Sequence, residues 1–530
     1  MVRNTTATRR GRAAAGGEGK PPAGRPGTNA DANLYSALAG AFPADRSACA
    51  FETEDARYFS WDDVERATAR IAGLLASLGL QAGSRVAVQV DKSVENVLLY
   101  LAVLRAGLVY LPLNTGYQSG EIEYFLGNAE PAVAVCAPRN LSWFGPLARA
   151  CGVQRVYTLG DDRSGTLLEA AAPMPDTFAT VARAPDDLAA ILYTSGTTGR
   201  SKGAMLSHRN LLSNAQVLRQ AWRWRKGDVL LHALPVFHVH GLFVALHGAL
   251  LNGSKTVFLR RFDAREVLAH LPRATVFMGV PTMYVRLLDE PGFDARAAAG
   301  VRLFVSGSAP LLEETFRAFE ARTGQRILER YGMSETLMLT SNAYDGHRLA
   351  GTVGLPLPGV DVRICGDDDR PLPWGEIGGV QVRGPNVFGG YWRMPEKTRE
   401  EFTADGFFRT GDVGRWDPNG YLVLVGRSKD LIITGGYNVY PKEIETWLDA
   451  LPGVAESAVI GVPHRDFGEA VTAVVVLRAG ATLDEASLIA ALKGRIAAFK
   501  VPKRVHVVDA LPRNAMGKVQ KNLLRERFAG

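Results

Sequence analysis

The chain has 530 residues, of which 47% are apolar and 22% charged, with a formal net charge of +7. That is too long for a single core and too apolar for a disordered chain, so a globular protein of two or more domains is expected. Cys49, Cys136, Cys151 and Cys365 form no Cys-x-x-Cys pair, which excludes a disulfide scaffold and points to a reduced, cytoplasmic protein.

Residues 1–30 hold Arg3, Arg9, Arg10, Arg12, Lys20 and Arg25 against Glu18 alone, leaving only +2 of the +7 for the other 500 residues. The body is therefore nearly neutral, and nucleic acid is not an expected partner. The tail is rich in Ala, Gly, Pro and Arg and is expected to be disordered. It lacks a secretory apolar segment; an Arg-rich, acid-poor start also fits a transit peptide, a reading ranked lower because Gly and Pro interrupt an amphipathic helix. Past the tail, Val64 to Leu78 has helical apolar spacing, Ser84 to Val90 alternates as a strand, and Ser93 to Arg105 is helical again. The apolar run Val97 to Leu104 ends at Arg105, too short to cross a bilayer. A second block runs from Pro131 to about Leu159, and a third has Asn210 to Trp222 as its helix. The runs Thr256 to Leu259, Thr275 to Val280 and Val301 to Val305 read as buried parallel strands. Ser306-Gly307-Ser308-Ala309-Pro310 is expected to open the next helix, and active-site loops belong at such strand ends. Gly351 to Tyr421 is turn-rich and reads as β structure. The last hundred residues form a small α/β unit, with Glu443 to Leu451, Ala455 to Val462, Val471 to Leu477 and Leu488 to Lys500 as its elements. No internal repeat appears.

Between Leu188–Leu192 and the helix at Asn210 lies a loop of hydroxyls, glycines and cations: Tyr193-Thr194-Ser195-Gly196-Thr197-Thr198-Gly199-Arg200-Ser201-Lys202-Gly203. Glycines let backbone amides turn inward and Lys202 adds charge, a composition suited to a polyphosphate. Arg200 and Ser201 separate Gly199 from Lys202, so the spacing excludes a Walker A loop. By itself the composition also fits a surface loop. Four more motifs follow: Arg330-Tyr331-Gly332-Met333-Ser334-Glu335-Thr336, then Thr410-Gly411-Asp412, then Gly426-Arg427-Ser428-Lys429-Asp430 leading to Gly435-Gly436-Tyr437-Asn438, and finally Pro512-Arg513-Asn514-Ala515-Met516-Gly517-Lys518. In this order the five motifs resemble those of the acyl-adenylate-forming enzymes: acyl-CoA synthetases, luciferases and peptide-synthetase adenylation domains. From about residue 31 the chain is most similar to the malonyl-CoA synthetases, notably through His232-Ala233-Leu234-Pro235-Val236-Phe237-His238-Val239-His240-Gly241-Leu242.

The resemblance implies an α/β multidomain fold. Residues 31–428 would form a large N-terminal domain of two β-α sheets plus a distorted β-barrel. Residues 429–530 would form a small mobile α+β domain hinged at Lys429. It implies two steps, in which a carboxylate attacks the α-phosphorus of ATP and a thiol then takes the acyl group and expels AMP. The loop Thr194, Ser195, Gly196, Thr197, Thr198, Gly199 and Lys202 would hold phosphates. Glu335, with Thr194, would bind Mg²⁺, a hard cation that wants oxygen donors. Lys518 would insert between carboxylate and α-phosphate, where its charge assists the first step. Asp412 and Arg427 would hold the ribose, Ser308 and Ala309 would wall the adenine with Tyr331 as a stacking face, and Glu329, Arg330, Gly332 and Thr336 would belong to the same ATP site. Read singly, each has an ordinary alternative: Asp412 a turn residue, Tyr331 core, Lys518 a solvated lysine.

Peptide-synthetase domains carry an Asp where this chain has His238, so an amino acid substrate is not expected. The acyl-pocket elements include polar groups, His240, Ser308 and Arg286, with Met333 at the rim, which suits a small dicarboxylate such as malonate better than a fatty chain. Arg286 could instead be a surface helix arginine, and His240 and Met333 core residues. The thiol is expected to be coenzyme A, with Gly435, Gly436 and Tyr437 lining its tunnel. The resemblance also implies that acetylation of Lys518 by a lysine acetyltransferase would stop the first step. A monomer or weak homo-oligomer is expected. The alternatives are a ligase for another short, methylmalonic or aromatic acid, and a catalytically silent nucleotide-binding regulator.

Overall fold

The computed structural model describes residues 31–194, 201–434, 437–464, 467–493, 495–514 and 517–529. Ser60 and Asp63 form a reciprocal cap that starts the helix Trp61–Ser77, satisfying amide groups that a helix start leaves open. Its apolar face, from Val64 to Leu75, is buried. The next helix, Val94–Arg105, is buried on every side. A helix apolar all round belongs in a core or a membrane, and this one is packed within a single cluster with residues of both large sheets. Its charged ends are paired: Glu95 with Arg163 at 3.1 Å, and Arg105 with the Glu65 carbonyl and Thr68 hydroxyl at 2.9 and 3.1 Å. Among the described residues, no helix is long and apolar enough to cross a membrane.

The described residues build four sheets. A six-stranded sheet runs Arg155–Thr158, Val133–Cys136, Arg85–Gln89, Val109–Pro112, Leu188–Thr194, Lys202–Ser207. Its last pair is an antiparallel hairpin that sets Thr194 opposite Lys202. A nine-stranded sheet has the parallel strands Leu328–Met333, Leu303–Ser306, Val276–Gly279, Val229–His232 and Lys255–Phe258 at its middle. Both sheets cover the central helices, as expected of β-α layers. The turn-rich stretch expected to be β structure contributes to a four-stranded antiparallel sheet of Asp361–Cys365, Gly378–Arg383, Phe408–Trp416 and Leu422–Arg427. A smaller C-terminal unit follows, with its own core. There Val454–His464 pairs along Gly468–Leu477, flanked by the helices Pro441–Asp449 and Lys521–Phe528. The whole is a mixed α/β multidomain fold.

Two expectations are corrected. Ser306–Pro310 does not open a helix directly: Ser308 takes a left-handed φ of 73°, and the helix begins only at Glu313. The stretch before it stays a loop at a strand end. The helix expected over Leu488 to Lys500 is only Glu485–Leu492, because Lys493 turns to extended backbone.

Candidate functional site

The loops at the strand ends of the nine-stranded sheet, the hairpin at Thr194 and the four-stranded sheet meet in one cleft, and the C-terminal unit places Lys518 in it. Thr194 ends its strand beside Glu335, which sits in the tight turn between Leu328–Met333 and Leu337–Ser341. The Thr194 hydroxyl donates to Glu335 Oε1 at 3.3 Å and the Tyr391 hydroxyl to the same oxygen at 3.1 Å. Burial raises the Glu335 pKa, against the pull of the Tyr391 hydrogen bond and the Lys202 charge. Lys202 lies 4.3 Å above the Tyr391 ring and 3.5 Å from Glu401. A buried carboxylate beside a hydroxyl offers oxygen ligands of the kind Mg²⁺ takes.

Asp412 and Arg427 face each other across an antiparallel ladder, with Nε and Oδ1 at 2.8 Å. The other Asp412 oxygen accepts from the Tyr331 hydroxyl at 2.5 Å. Tyr331, expected as a stacking face, is thus also tethered through its hydroxyl, and burial, then the Asp412 charge, raises its pKa. Lys518 comes from the C-terminal unit. Burial first, then the Arg427 charge, lowers its ammonium to about 8 while Asp412 opposes the shift. A Cβ on Gly517 would lie 3.0 Å from Thr282 Oγ1, so the Lys518 loop rests on the start of the helix Pro281–Asp289.

Behind the cleft lies a second group of polar residues. The Arg330 guanidinium packs directly on Gly307, where a Cβ would come within 2.4 Å of its carbon. Arg330 is buried, and its Nε and Nη2 have no hydrogen-bond partner among the described residues. The same holds for Ser306 Oγ and His240 Nε2. Burial lowers the Arg330 pKa to about 9. His240 opens a π-helical turn, and its Nδ1 lies 3.3 Å from Ser308 Oγ. That turn needs Gly241, whose Cβ would meet the Pro235 carbonyl oxygen at 2.0 Å. His238 is lowered to about 4 by burial, then by Arg330 and Lys518, which places it between those two cations and keeps it neutral near pH 7. Glu329 accepts from the Leu311 amide at 3.2 Å, and burial raises it to about 8.

Several expected residues stand elsewhere. Arg286 is exposed on the last turn of its helix, lining a surface groove with Asp263, Arg265, Asp289 and Glu290. It is removed from the acyl pocket, because Thr282 at the helix start faces the cleft and Arg286 at its end does not. Thr336 is fully buried, with its hydroxyl donating to the Leu337 carbonyl at 3.2 Å. Gly332 answers to the turn, since a Cβ would lie 2.0 Å from the Leu337 carbonyl oxygen. Met333 is half-buried against the main core, and Ala309 is half-buried beside Ser308. Lys429 sits in the short turn Ser428–Asp430 between the two parts of the chain. Tyr437 is exposed and stacked on Phe499 at 4.6 Å. Ser195, Gly196, Thr197, Thr198, Gly199, Gly435 and Gly436 lie outside the described residues, as does the tail at 1–30. Sequence reasoning missed Tyr391 as a Glu335 partner, although Gly389-Gly390-Tyr391-Trp392 is a motif-like string.

Cations at Lys202, Arg427 and Lys518 stand around the buried carboxylates Glu335 and Asp412, a cleft suited to anions. The AMP-binding enzyme family model matches residues 37–392, and the model for the C-terminal domain of these enzymes matches 443–518. The chain is 36% identical over 479 residues to a malonate–CoA ligase of Arabidopsis thaliana, covering 84% of this chain and 78% of that protein. It is 36% identical over 456 residues to a sulfoacetate–CoA ligase of Cupriavidus necator, covering 84% and 88%. ATP-bound MatB from Rhodopseudomonas palustris superposes with a TM-score of 0.92 at 54% identity, covering 94% of this chain and 99% of that one. The TM-score falls to 0.82 against apo MatB with the same coverage, so the arrangement of parts is nearer the ATP-bound form. The chain belongs to the AMP-binding enzyme family. Within it, the chain is an AMP-forming acid–thiol ligase that uses ATP.

Proposed function

We propose that this chain is a malonate–CoA ligase, forming malonyl-CoA through malonyl-adenylate. The observation that carries the reading is Arg330: a buried guanidinium whose Nε and Nη2 are unpartnered, close to His240 and His238 and additional to the cations that face the nucleotide. A buried unpaired cation is unfavourable, and a substrate with a second carboxylate relieves it, in bidentate fashion. The malonate–CoA ligase of Arabidopsis supports the same substrate.

In the first step a malonate oxygen attacks the α-phosphorus, an O–P bond forms and pyrophosphate leaves. Lys518 offsets the charge of the two approaching anions, and Asp412 with Arg427 holds the ribose. Glu335 and Thr194 would hold the Mg²⁺ that accompanies ATP and neutralises phosphate charge. Lys202 and the loop 195–199 would grip the outer phosphates. In the second step the coenzyme A sulfur attacks the acyl carbon, a C–S bond forms and AMP leaves with the C–O electron pair. Rotation about Lys429 would withdraw Lys518 and bring Gly435, Gly436 and Tyr437 to the cleft.

The test is carboxylate-dependent pyrophosphate exchange and AMP release with malonate, methylmalonate, succinate, sulfoacetate, acetate, coumarate and octanoate. Malonate is expected to lead. Arg330→Met should lower malonate turnover by about a hundredfold and acetate turnover far less. Equal losses on both acids would remove Arg330 from the reading, and coumarate or octanoate leading would replace the substrate. A second reading, sulfoacetate, draws on the Cupriavidus relative and on the same guanidinium, since it too pairs a carboxylate with a second anion.

A further inference from the structure

Lys518 reaches the cleft from a short loop, and a lysine on four flexible bonds can act at one point only if its backbone is held. Inside the loop, the Lys518 amide donates to Asn514 Oδ1 at 3.0 Å. The Asn514 amide donates to the Lys518 carbonyl at 3.0 Å, and the Gly517 amide to the Asn514 carbonyl at 2.9 Å. Gly517 needs its left-handed φ of 73° to close this turn. These bonds lie within residues 514–518. The tie to the sheet runs through Arg513. One of its nitrogens donates to the carbonyl oxygen of Gly517, the residue just before Lys518, and another pairs with Glu456 on the strand Val454–His464. Both side chains are about three-quarters buried, 28% and 26% exposed. Arg513 also bridges to Val519 through the backbone, so the guanidinium spans the loop at its neck. Lysine cannot reproduce this fork, since one ammonium lacks the rigid geometry that serves a carbonyl and a carboxylate together.

We propose that Arg513 is a positioning residue for Lys518: by clasping the Gly517 carbonyl while anchored on Glu456, it sets where the ammonium arrives when the C-terminal domain closes on the cleft. Arg513, Glu456 and Gly517 all belong to the moving domain, so the strut travels with it and acts only in the step that uses Lys518. The proposal rests on the reading of Lys518 as the adenylation lysine.

The experiment measures both half-reactions of the full-length enzyme: malonate-dependent pyrophosphate exchange, and malonyl-CoA formation from supplied malonyl-adenylate. Arg513→Ala should lower the kcat of exchange by about 10- to 100-fold, with KM values for ATP and malonate within about threefold. Thioester formation should stay within about twofold and the Tm within about 2 °C. Glu456→Gln should show the same split more weakly, and Arg513→Lys should recover only part of the exchange. Unchanged exchange in Arg513→Ala overturns the proposal. So does a parallel fall of both half-reactions with a lower Tm, which marks a merely structural residue; should Arg513→Ala not fold, Arg513→Lys and Glu456→Gln carry the same comparison. Lys518→Ala is the control. If it keeps exchange, the reading of Lys518 fails and the strut with it, whereas loss in Lys518→Ala beside full exchange in Arg513→Ala defeats the strut alone.

Discussion

Burial and Arg427 hold the Lys518 ammonium at about 8, so the free enzyme loses this cation as pH rises through that value. Pyrophosphate exchange at low substrate, which reports the free enzyme, is expected to fall on that alkaline limb. Bound phosphates favour the charged form, so the limb in kcat should lie at higher pH. Lys518→Arg should push both limbs out of range, and Lys518→Ala should lower exchange by about a hundredfold while sparing thioester formation from malonyl-adenylate. A pH profile of the three proteins checks this. At the same scale, Arg286→Ala should leave malonate turnover within about twofold, because the side chain points to solvent on the outer end of its helix. Gly307→Ala should displace the Arg330 guanidinium, which a Cβ would meet at 2.4 Å. Steady-state kinetics with malonate and acetate should show the loss falling mainly on malonate.

The helix Val94–Arg105 joins both large sheets through a surface buried on all sides. Leu101→Ala, deep in that helix, should cost about 3 kcal/mol of N-terminal domain stability, measured by denaturant unfolding. The C-terminal unit carries a different signature in Asp449, on the helix Pro441–Asp449. Burial raises this carboxyl to about 6 although Ser457 donates to it at 2.7 Å. For an acid raised in the fold, the favoured form is the protonated one. Its contribution is intact below pH about 4 and is lost as pH rises through about 6. Asp449→Asn should therefore stabilise the C-terminal unit by about 1 kcal/mol at pH 8 and by little at pH 4, since the site is only partly open to solvent screening. Thermal unfolding at the two pH values reads the difference.

Across the whole molecule, the C-terminal unit is docked by the Gly517 contact with Thr282 and by a forked ion pair of Arg478 with Glu314 at 2.6 Å. That pair is exposed, so its own energy is small, about 0–1 kcal/mol. Its position makes it a reporter of closure. Cysteines at 314 and 478 joined by a short bis-maleimide should hold the enzyme in its present arrangement, keeping pyrophosphate exchange while stopping transfer to coenzyme A. Full thioester turnover in the linked protein would show that the step needs no rotation.

Much of this was legible in the chain before folding. The alternation at Arg85–Gln89 and the apolar spacing of the helices at 61–77, 94–105 and 208–221 are local properties of neighbouring residues, and the motifs around Thr194, Glu335, Asp412 and Lys518 are local strings. Arg286 was misplaced because helical spacing tells which residues share a face but not which end of the helix reaches the cleft. The unpartnered Arg330 guanidinium is not legible in the chain, because the absence of partners around it is a property of side chains far apart in sequence. The same reason hid Tyr391 beside Glu335 and Glu456 behind Arg513. Local periodicity and composition determined the elements and the reaction class. Burial and the meeting of residues dozens to hundreds of positions apart decided which charges face the substrate, since electrostatic environment exists only once the chain has closed around it.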